Sequence, residues 1–208
     1  MNSPLAGTYV CVEGPIGVGK TTLAELLKEQ WSAEILYEIF DENPFLAKFY
    51  NDRGGFAFLT QMWFLQIRYH LLRKVRPGAT PLVSDFFFTK DRIFAELNLR
   101  GDELDTYYAY YDLLSEHLPK PNLVIHLTAE LDVLMKRILS RGRDYEKNMD
   151  ARYIGELSRH YETFFASYDV APVLRLDTTH LDLVHNMDHR ALVLNRIEAA
   201  LKQHMPTG

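Results

Sequence analysis

The sequence predicts an α/β domain: a parallel sheet of about five strands with helices on both faces. Three observations predict it. Strand-like and helix-like segments alternate along the chain. The strand-like segments are short apolar runs bounded by turn residues, as buried strands are. A glycine-rich loop separates the first strand from the first helix, the opening of such a unit.

Thr8-Tyr9-Val10-Cys11-Val12-Glu13 is β-branched and aromatic, and Gly14-Pro15 stops it. From Lys20 the period changes, with Leu23, Leu26, Leu27 and Trp31 at helical spacing. Ile35-Leu36-Tyr37 is a weaker strand, followed by Glu38. Helices are expected at 43–50 and 56–75, the second with Phe58, Met62, Leu65, Tyr69 and Leu72 on its apolar face. Arg76-Pro77-Gly78 breaks it before the strand Pro81-Leu82-Val83-Ser84, which ends at Asp85. Helices follow at 89–99 and 102–117. Pro119 and Pro121 precede the strand 123–127; a helix at 130–140, a charged segment at 141–148 and a helix at 151–168 come next. The strand 172–176 and the helix 188–203 close the chain. No repeat or composition break divides residues 1–208, so a single domain is expected.

Hydrophobic residues make up 47% of the 208, enough for one well-buried core. The net charge of −5 argues against nucleic acid or an anionic membrane as partner, but leaves room for a local basic pocket. No apolar stretch approaches the length of a membrane span, and Met1-Asn2-Ser3-Pro4 lacks the features of a signal peptide, so a cytoplasmic protein is expected. The lone Cys11 lies in an apolar run and reads as a core residue. The eight histidines show no metal-ligand spacing.

Gly14-Pro15-Ile16-Gly17-Val18-Gly19-Lys20-Thr21 satisfies every fixed position of G-x-x-x-x-G-K-[ST], and Thr22 follows. Glycines let backbone N–H groups turn inward around phosphate oxygens, and the next helix points its positive end at them. Lys20 would reach the β- and γ-phosphates of ATP, and the Thr21 hydroxyl would bind Mg²⁺. No N-K-x-D motif, no D-x-x-G after Asp85 and no L-S-G-G-Q segment is present, which disfavours a GTPase or a transporter ATPase and leaves a small-molecule kinase. Downstream, Lys136, Arg137, Arg141 and Arg143 cluster within eight residues. Arg137 and Arg141, four apart, can share a helix face and clamp transferring charge; Gly142 would let the segment 137–148 move as a lid.

Glu38 and Asp85 sit at strand C-termini, where open α/β sheets bind ligands, and a carboxylate there can accept the proton of a primary hydroxyl. Gln61 and Arg68 are seven apart and share a helix face; an arginine in an apolar helix needs an acid, and Asp91 is the natural candidate.

These segments together resemble the deoxynucleoside kinases, in particular the bacterial deoxyguanosine/deoxyadenosine kinase branch. The likeness rests on V-E-G-P-I-G-V-G-K-T, Y-E-I-F-D-E-N-P-F-L-A-K-F-Y at 37–50, Q-M-W-F-L-Q-I-R-Y at 61–69, S-D-F-F-F-T-K-D-R-I-F-A at 84–95 and R-I-L-S-R-G-R-D-Y-E at 137–146. It implies a P-loop kinase with an arginine-rich lid, acting as a homodimer with ATP and Mg²⁺. It assigns Glu38 to the nucleoside 5′-hydroxyl, Asp85 to base or metal-side duty beside Thr21, Tyr50 and Glu146 to the sugar 3′-hydroxyl, and Gln61, Arg68 and Asp91 to the base. Phe86 falls on the substrate side where the family commonly has arginine, which leaves open what, if any, cation stands near the 5′-oxygen. The resulting expectation is phosphorylation of a purine deoxynucleoside, adenine or guanine. The rivals are a thymidylate-type monophosphate kinase and a nucleotide-binding ATPase switch.

Overall fold

The computed structural model describes residues 5–76, 78–146 and 149–204. Five strands, β1 (Tyr9–Glu13), β2 (Glu34–Leu36), β3 (Leu82–Ser84), β4 (Leu123–Thr128) and β5 (Val173–Asp177), form one sheet in the order β2-β3-β1-β4-β5. All four pairings are parallel. Every residue of β1 is buried, as a central strand covered on both faces must be. From β1 the chain winds first toward β3 and β2, then back past β1 to β4 and β5. That reversal opens a crevice at the carboxyl ends of β1, β3 and β4.

The helices are α1 (Lys20–Trp31), α2 (Leu46–Asn51), α3 (Arg53–Leu72), α4 (Lys90–Asn98), α5 (Asp102–Ser115), α6 (Leu131–Arg141), α7 (Ala151–Ser167) and α8 (Met187–His204). The helix expected at 56–75 begins three residues earlier, because the Asp52 carboxylate accepts from the Gly55 N–H at 3.1 Å and caps it. It ends at Leu72. The pair Gly54-Gly55 hides this start from a propensity reading.

The orientation of α3 also departs from expectation. Its buried stripe runs through Ala57, Thr60, Gln61, Phe64, Leu65, Arg68 and Leu72, while Phe58, Met62 and Tyr69 are half-buried. The helix is therefore turned so that three polar side chains, Thr60, Gln61 and Arg68, face inward. Helix α6 stops at Gly142, whose φ of 67° is the left-handed conformation that glycine adopts without strain. Lys147 and Asn148, the last residues of the expected lid, lie outside the described residues.

Candidate active site

The loop between β1 and α1 wraps as its motif requires. Gly14 has φ 151°, and a Cβ there would lie 2.3 Å from the Leu127 carbonyl oxygen of β4. Gly17 has φ 85°, with the Leu134 carbonyl oxygen 2.8 Å from its hypothetical Cβ. Both positions exclude any side chain. Lys20 donates to the Gly14 and Pro15 carbonyls at 2.7 and 3.2 Å. Burial pulls its ammonium down to about 8, with Glu13 opposing that fall and nearby Lys90 adding to it.

Two cavities meet at this loop. One is lined by Gly17, Val18, Gly19, Lys20, Thr21 and Thr22 together with Arg137, Arg141, Arg143 and the segment Thr178 to Val184. The other shares Gly17, Lys20, Thr21, Arg141 and Arg143 with the first, includes Ile16, and extends beneath α3 and α4. The shared wall carries three cations, Lys20, Arg141 and Arg143, at the point where a group passing between the cavities would sit.

In the second cavity an apolar enclosure of Phe40, Leu46, Phe49, Phe64, Phe94 and Tyr153 surrounds a few polar groups, the usual build of a small-molecule site. Gln61 is buried, lines the wall, and its Oε1 has no hydrogen-bond partner. An unpartnered buried amide oxygen costs about 1–3 kcal/mol unless a ligand satisfies it. Tyr50 also lines the cavity and stacks on Tyr145, ring centroids 5.9 Å apart. Glu146 is buried in the same wall, accepting from Arg141 at 2.6 Å and lying 3.7 Å from Arg143. The two arginines thus hold Glu146 in the cavity wall.

A chain of buried charge crosses the cavity floor. Asp91 accepts from Arg68, and Arg68 donates through two of its nitrogens to Glu38 Oε1. Lys90 donates to Glu38 Oε2 at 2.8 Å and lies 4.0 Å from Glu13 Oε2. Burial pushes the Glu38 carboxyl up, but Arg68 and Lys90 outweigh it and hold the group at about 2. Burial raises Asp91 to about 6 against the pull of Arg68. Asp85 accepts from the Thr21 hydroxyl at 2.6 Å and from the Glu38 backbone N–H at 2.7 Å, fastening the ends of β2 and β3 to the phosphate loop.

Three expected placements are corrected. Phe86 is fully buried in the core and does not line the cavity; an apolar ring next to Asp85 packs inward rather than facing a sugar. Asp91 is fully buried behind Arg68 and also stands outside the cavity wall, so its partner is Arg68 and it does not face the cavity. Arg137 lines the first cavity with Arg141 and Arg143, but its guanidinium is taken up by protein acceptors. Its two terminal nitrogens donate to the Val18, Thr178 and Leu181 carbonyls and to Thr178 Oγ1, at 2.8 to 3.3 Å. It braces α6 against the phosphate loop and the segment after β5.

Two participants escape the sequence reading. Lys90, within Lys90-Asp91-Arg92, has the look of a solvated helix start, yet it is buried. Glu13 reads as a strand-end acid. Its carboxylate accepts from the Gly14 N–H at 2.8 Å, the Tyr161 hydroxyl at 2.9 Å and the Phe87 N–H at 2.9 Å. The apolar run before Glu13 and its place beside the loop are the signals that could have marked it.

Comparison with known proteins accords with this geometry. The chain is 35% identical over 207 residues to a deoxyguanosine kinase of Bacillus subtilis, covering 94% of this chain and 96% of that protein. It is 30% identical over 210 residues to a deoxyadenosine kinase of Lactobacillus acidophilus, covering 93% and 96%. The structure of a deoxyadenosine kinase from M. mycoides with the products dCMP and dCDP superposes with a TM-score of 0.80 at 25% identity, covering 92% of this chain and 99% of the other. Residues 10–202 match the family model described as deoxynucleoside kinase. A phosphate loop shared by two cavities, one of them aromatic and floored by buried carboxylates, is thus carried by a chain that belongs to the deoxynucleoside kinase family.

Proposed function

We propose that the chain transfers the γ-phosphoryl group of ATP to the 5′-hydroxyl of a purine 2′-deoxynucleoside. The observation that carries this reading is the meeting of the two cavities at Lys20, Arg141 and Arg143 with Glu38 on the acceptor side. The nucleotide would occupy the cavity closed by Arg137 and residues 178–184, and the nucleoside the aromatic one. Tyr50 and Glu146 suit the sugar, Gln61 and Arg68 the base edge.

Glu38 is ionised throughout the physiological range and accepts the 5′-hydroxyl as a hydrogen-bond donor, taking its proton as the new bond to phosphorus forms. Asp85 lines the same cavity and is the alternative base, and both carboxylates already accept hydrogen bonds through each of their oxygens. Lys20 and the lid arginines stabilise charge on the transferring group. Among the described residues no cluster of three or more acidic, histidine or cysteine side chains could hold a metal ion. Thr21 Oγ1 and an Asp85 carboxylate oxygen 2.6 Å apart nonetheless offer hard oxygen donors of the kind Mg²⁺ accepts alongside nucleotide phosphates. When bound there, Mg²⁺ would neutralise charge on the β- and γ-phosphates.

Leu59 of α3 and Tyr110 and Leu113 of α5 expose apolar surface, which supports a homodimer formed through these helices. Among the described residues no helix is long and apolar enough to cross a membrane; a cytoplasmic place suits a salvage kinase. The test is the fate of label from γ-labelled ATP mixed with deoxyguanosine or deoxyadenosine. The label is expected in the nucleoside 5′-monophosphate. Its appearance as free phosphate alone, at a rate indifferent to nucleoside, would identify an ATPase switch instead.

A further inference from the structure

The donor-side cations of the site are Lys20, Arg141 and Arg143, yet charge in a phosphoryl transfer spreads over oxygens that also face the acceptor. The end of β3 supplies no cation there, since Phe86 beside Asp85 packs into the core. The acceptor cavity nevertheless carries an excess of positive charge. Five cations line it (Lys20, Arg68, Lys90, Arg141 and Arg143) against the three carboxylates Glu38, Asp85 and Glu146.

Of the two cations on the floor, Arg68 is fixed by two carboxylates, with its remaining N–H groups left for the base edge. Its Nε, NH1 and NH2 all donate to Glu38 or Asp91, and its guanidinium lies 4.6 Å from the centroid of the Phe64 ring. Lys90 is not fixed in this way. It is 3% exposed and lines the cavity, and its ammonium has three donors. One of them bonds to Glu38 Oε2; the contact to Glu13 is 4.0 Å, beyond a hydrogen bond. A buried ammonium with spare donors, on a flexible stem beside the group that receives the 5′-hydroxyl, fits a dianionic phosphate better than it fits a permanent ion pair.

We propose that Lys90 is the acceptor-side cation of the reaction, contacting the transferring phosphoryl group from the nucleoside side while Lys20 and the lid arginines hold it from the nucleotide side. In the step, the 5′-oxygen bonds to the γ-phosphorus, the bond from that phosphorus to the β-bridging oxygen breaks, and ADP leaves with the bonding electrons. The hydroxyl proton passes to Glu38 Oε2. Protonation of that oxygen removes the attraction that holds Lys90, and the ammonium follows the negative charge to the new phosphate monoester. The proposal rests on the reading of Glu38 as the 5′-hydroxyl's partner.

Calorimetric binding of a deoxynucleoside and of its 5′-monophosphate to the full chain separates this role from a purely structural one. Lys90→Gln should weaken the monophosphate at least 10-fold, leave the deoxynucleoside within about 3-fold, and lower kcat at least 100-fold. Lys90→Arg should recover most of the monophosphate affinity. Equal losses for both ligands, or no loss for either, would overturn the role. Lys90→Gln removes a counter-charge from two buried carboxylates, so a second measurement uses the wild-type protein. The side-chain nitrogen resonance that is missing from Lys90→Arg should move on adding the monophosphate and hold still with the deoxynucleoside; a resonance indifferent to the monophosphate overturns the proposal. Wild-type protein that binds neither ligand refutes the acceptor-site reading itself, and with it the role of Lys90.

Discussion

The Thr21 hydroxyl donates to Asp85 Oδ2 at 2.6 Å, joining the start of α1 to the end of β3 across 64 residues of sequence. Through its other oxygen Asp85 holds the Glu38 backbone at 2.7 Å, so one carboxylate sets the spacing between phosphate loop and Glu38. Asp85→Asn removes the negative charge and replaces one acceptor oxygen with a donor, which the Thr21 hydroxyl can accept and the Glu38 N–H cannot. Steady-state rates should fall roughly 10²-fold or more, the scale of losing an electrostatic group aimed at the transition state. The Mg²⁺ concentration for half-maximal rate should rise. Unchanged Mg²⁺ dependence would remove Asp85 from the metal side.

Asp91 lies behind Arg68 and accepts from its guanidinium, which we assign to the base edge. In Asp91→Asn the guanidinium keeps Glu38 but loses its anchor. Removing one partner of a buried ion pair costs about 3–5 kcal/mol when nothing compensates, and Glu38 compensates in part here. A fall in Tm is expected, with a rise in KM and a changed deoxyadenosine to deoxyguanosine ratio. Identical KM values for every nucleoside would show that Arg68 does not read the base.

His126 of β4 carries a stability switch. It is fully buried, neither ring nitrogen has a partner, and its ring stacks on Phe165 at 4.2 Å. Burial, assisted by Arg175, lowers it to about 4. The unfolded chain, with an ordinary imidazole, therefore binds a proton more readily, and stability falls as pH drops from about 6.5 toward 4. Linkage puts the loss at pH 5 at about 2 kcal/mol. His126→Phe keeps the aromatic stack and should flatten the drop in Tm between pH 7 and pH 5. An equal drop in both proteins would contradict this.

Tyr110 and Leu113 of α5 are 51% and 67% exposed, and the proposed dimer would cover them. Light scattering at micromolar concentration should give a particle of twice the chain mass, and Leu113→Glu should shift it toward the monomer. A monomeric wild-type protein would refute the dimer.

The local features of the site are legible in the sequence. Gly14 to Thr22 is contiguous and its conformation follows from its own glycines, and Gly142 announces the end of α6 by the same logic. Pairing of Arg68 with Asp91 is also foreseeable, because a guanidinium in an apolar helix demands an acid. Relations set by tertiary packing are not. The rotation of α3 is decided by a cavity that must be lined, against the pull of Phe58 and Tyr69 toward the core. Lys90 is buried at the start of a helix that packs against α3 and α7, although that start, in isolation, reads as solvated. Arg137 sits at the right helical spacing from Arg141, yet carbonyls of a segment some forty residues onward claim it.

The central claim is tested most directly by initial rates of ADP formation with ATP and, in turn, deoxyadenosine, deoxyguanosine, deoxycytidine, thymidine and dTMP. The account predicts ADP release that depends on the nucleoside, with the highest kcat/KM for deoxyadenosine or deoxyguanosine. Thymidine or dTMP as the best acceptor, or ADP release without any acceptor, would contradict it.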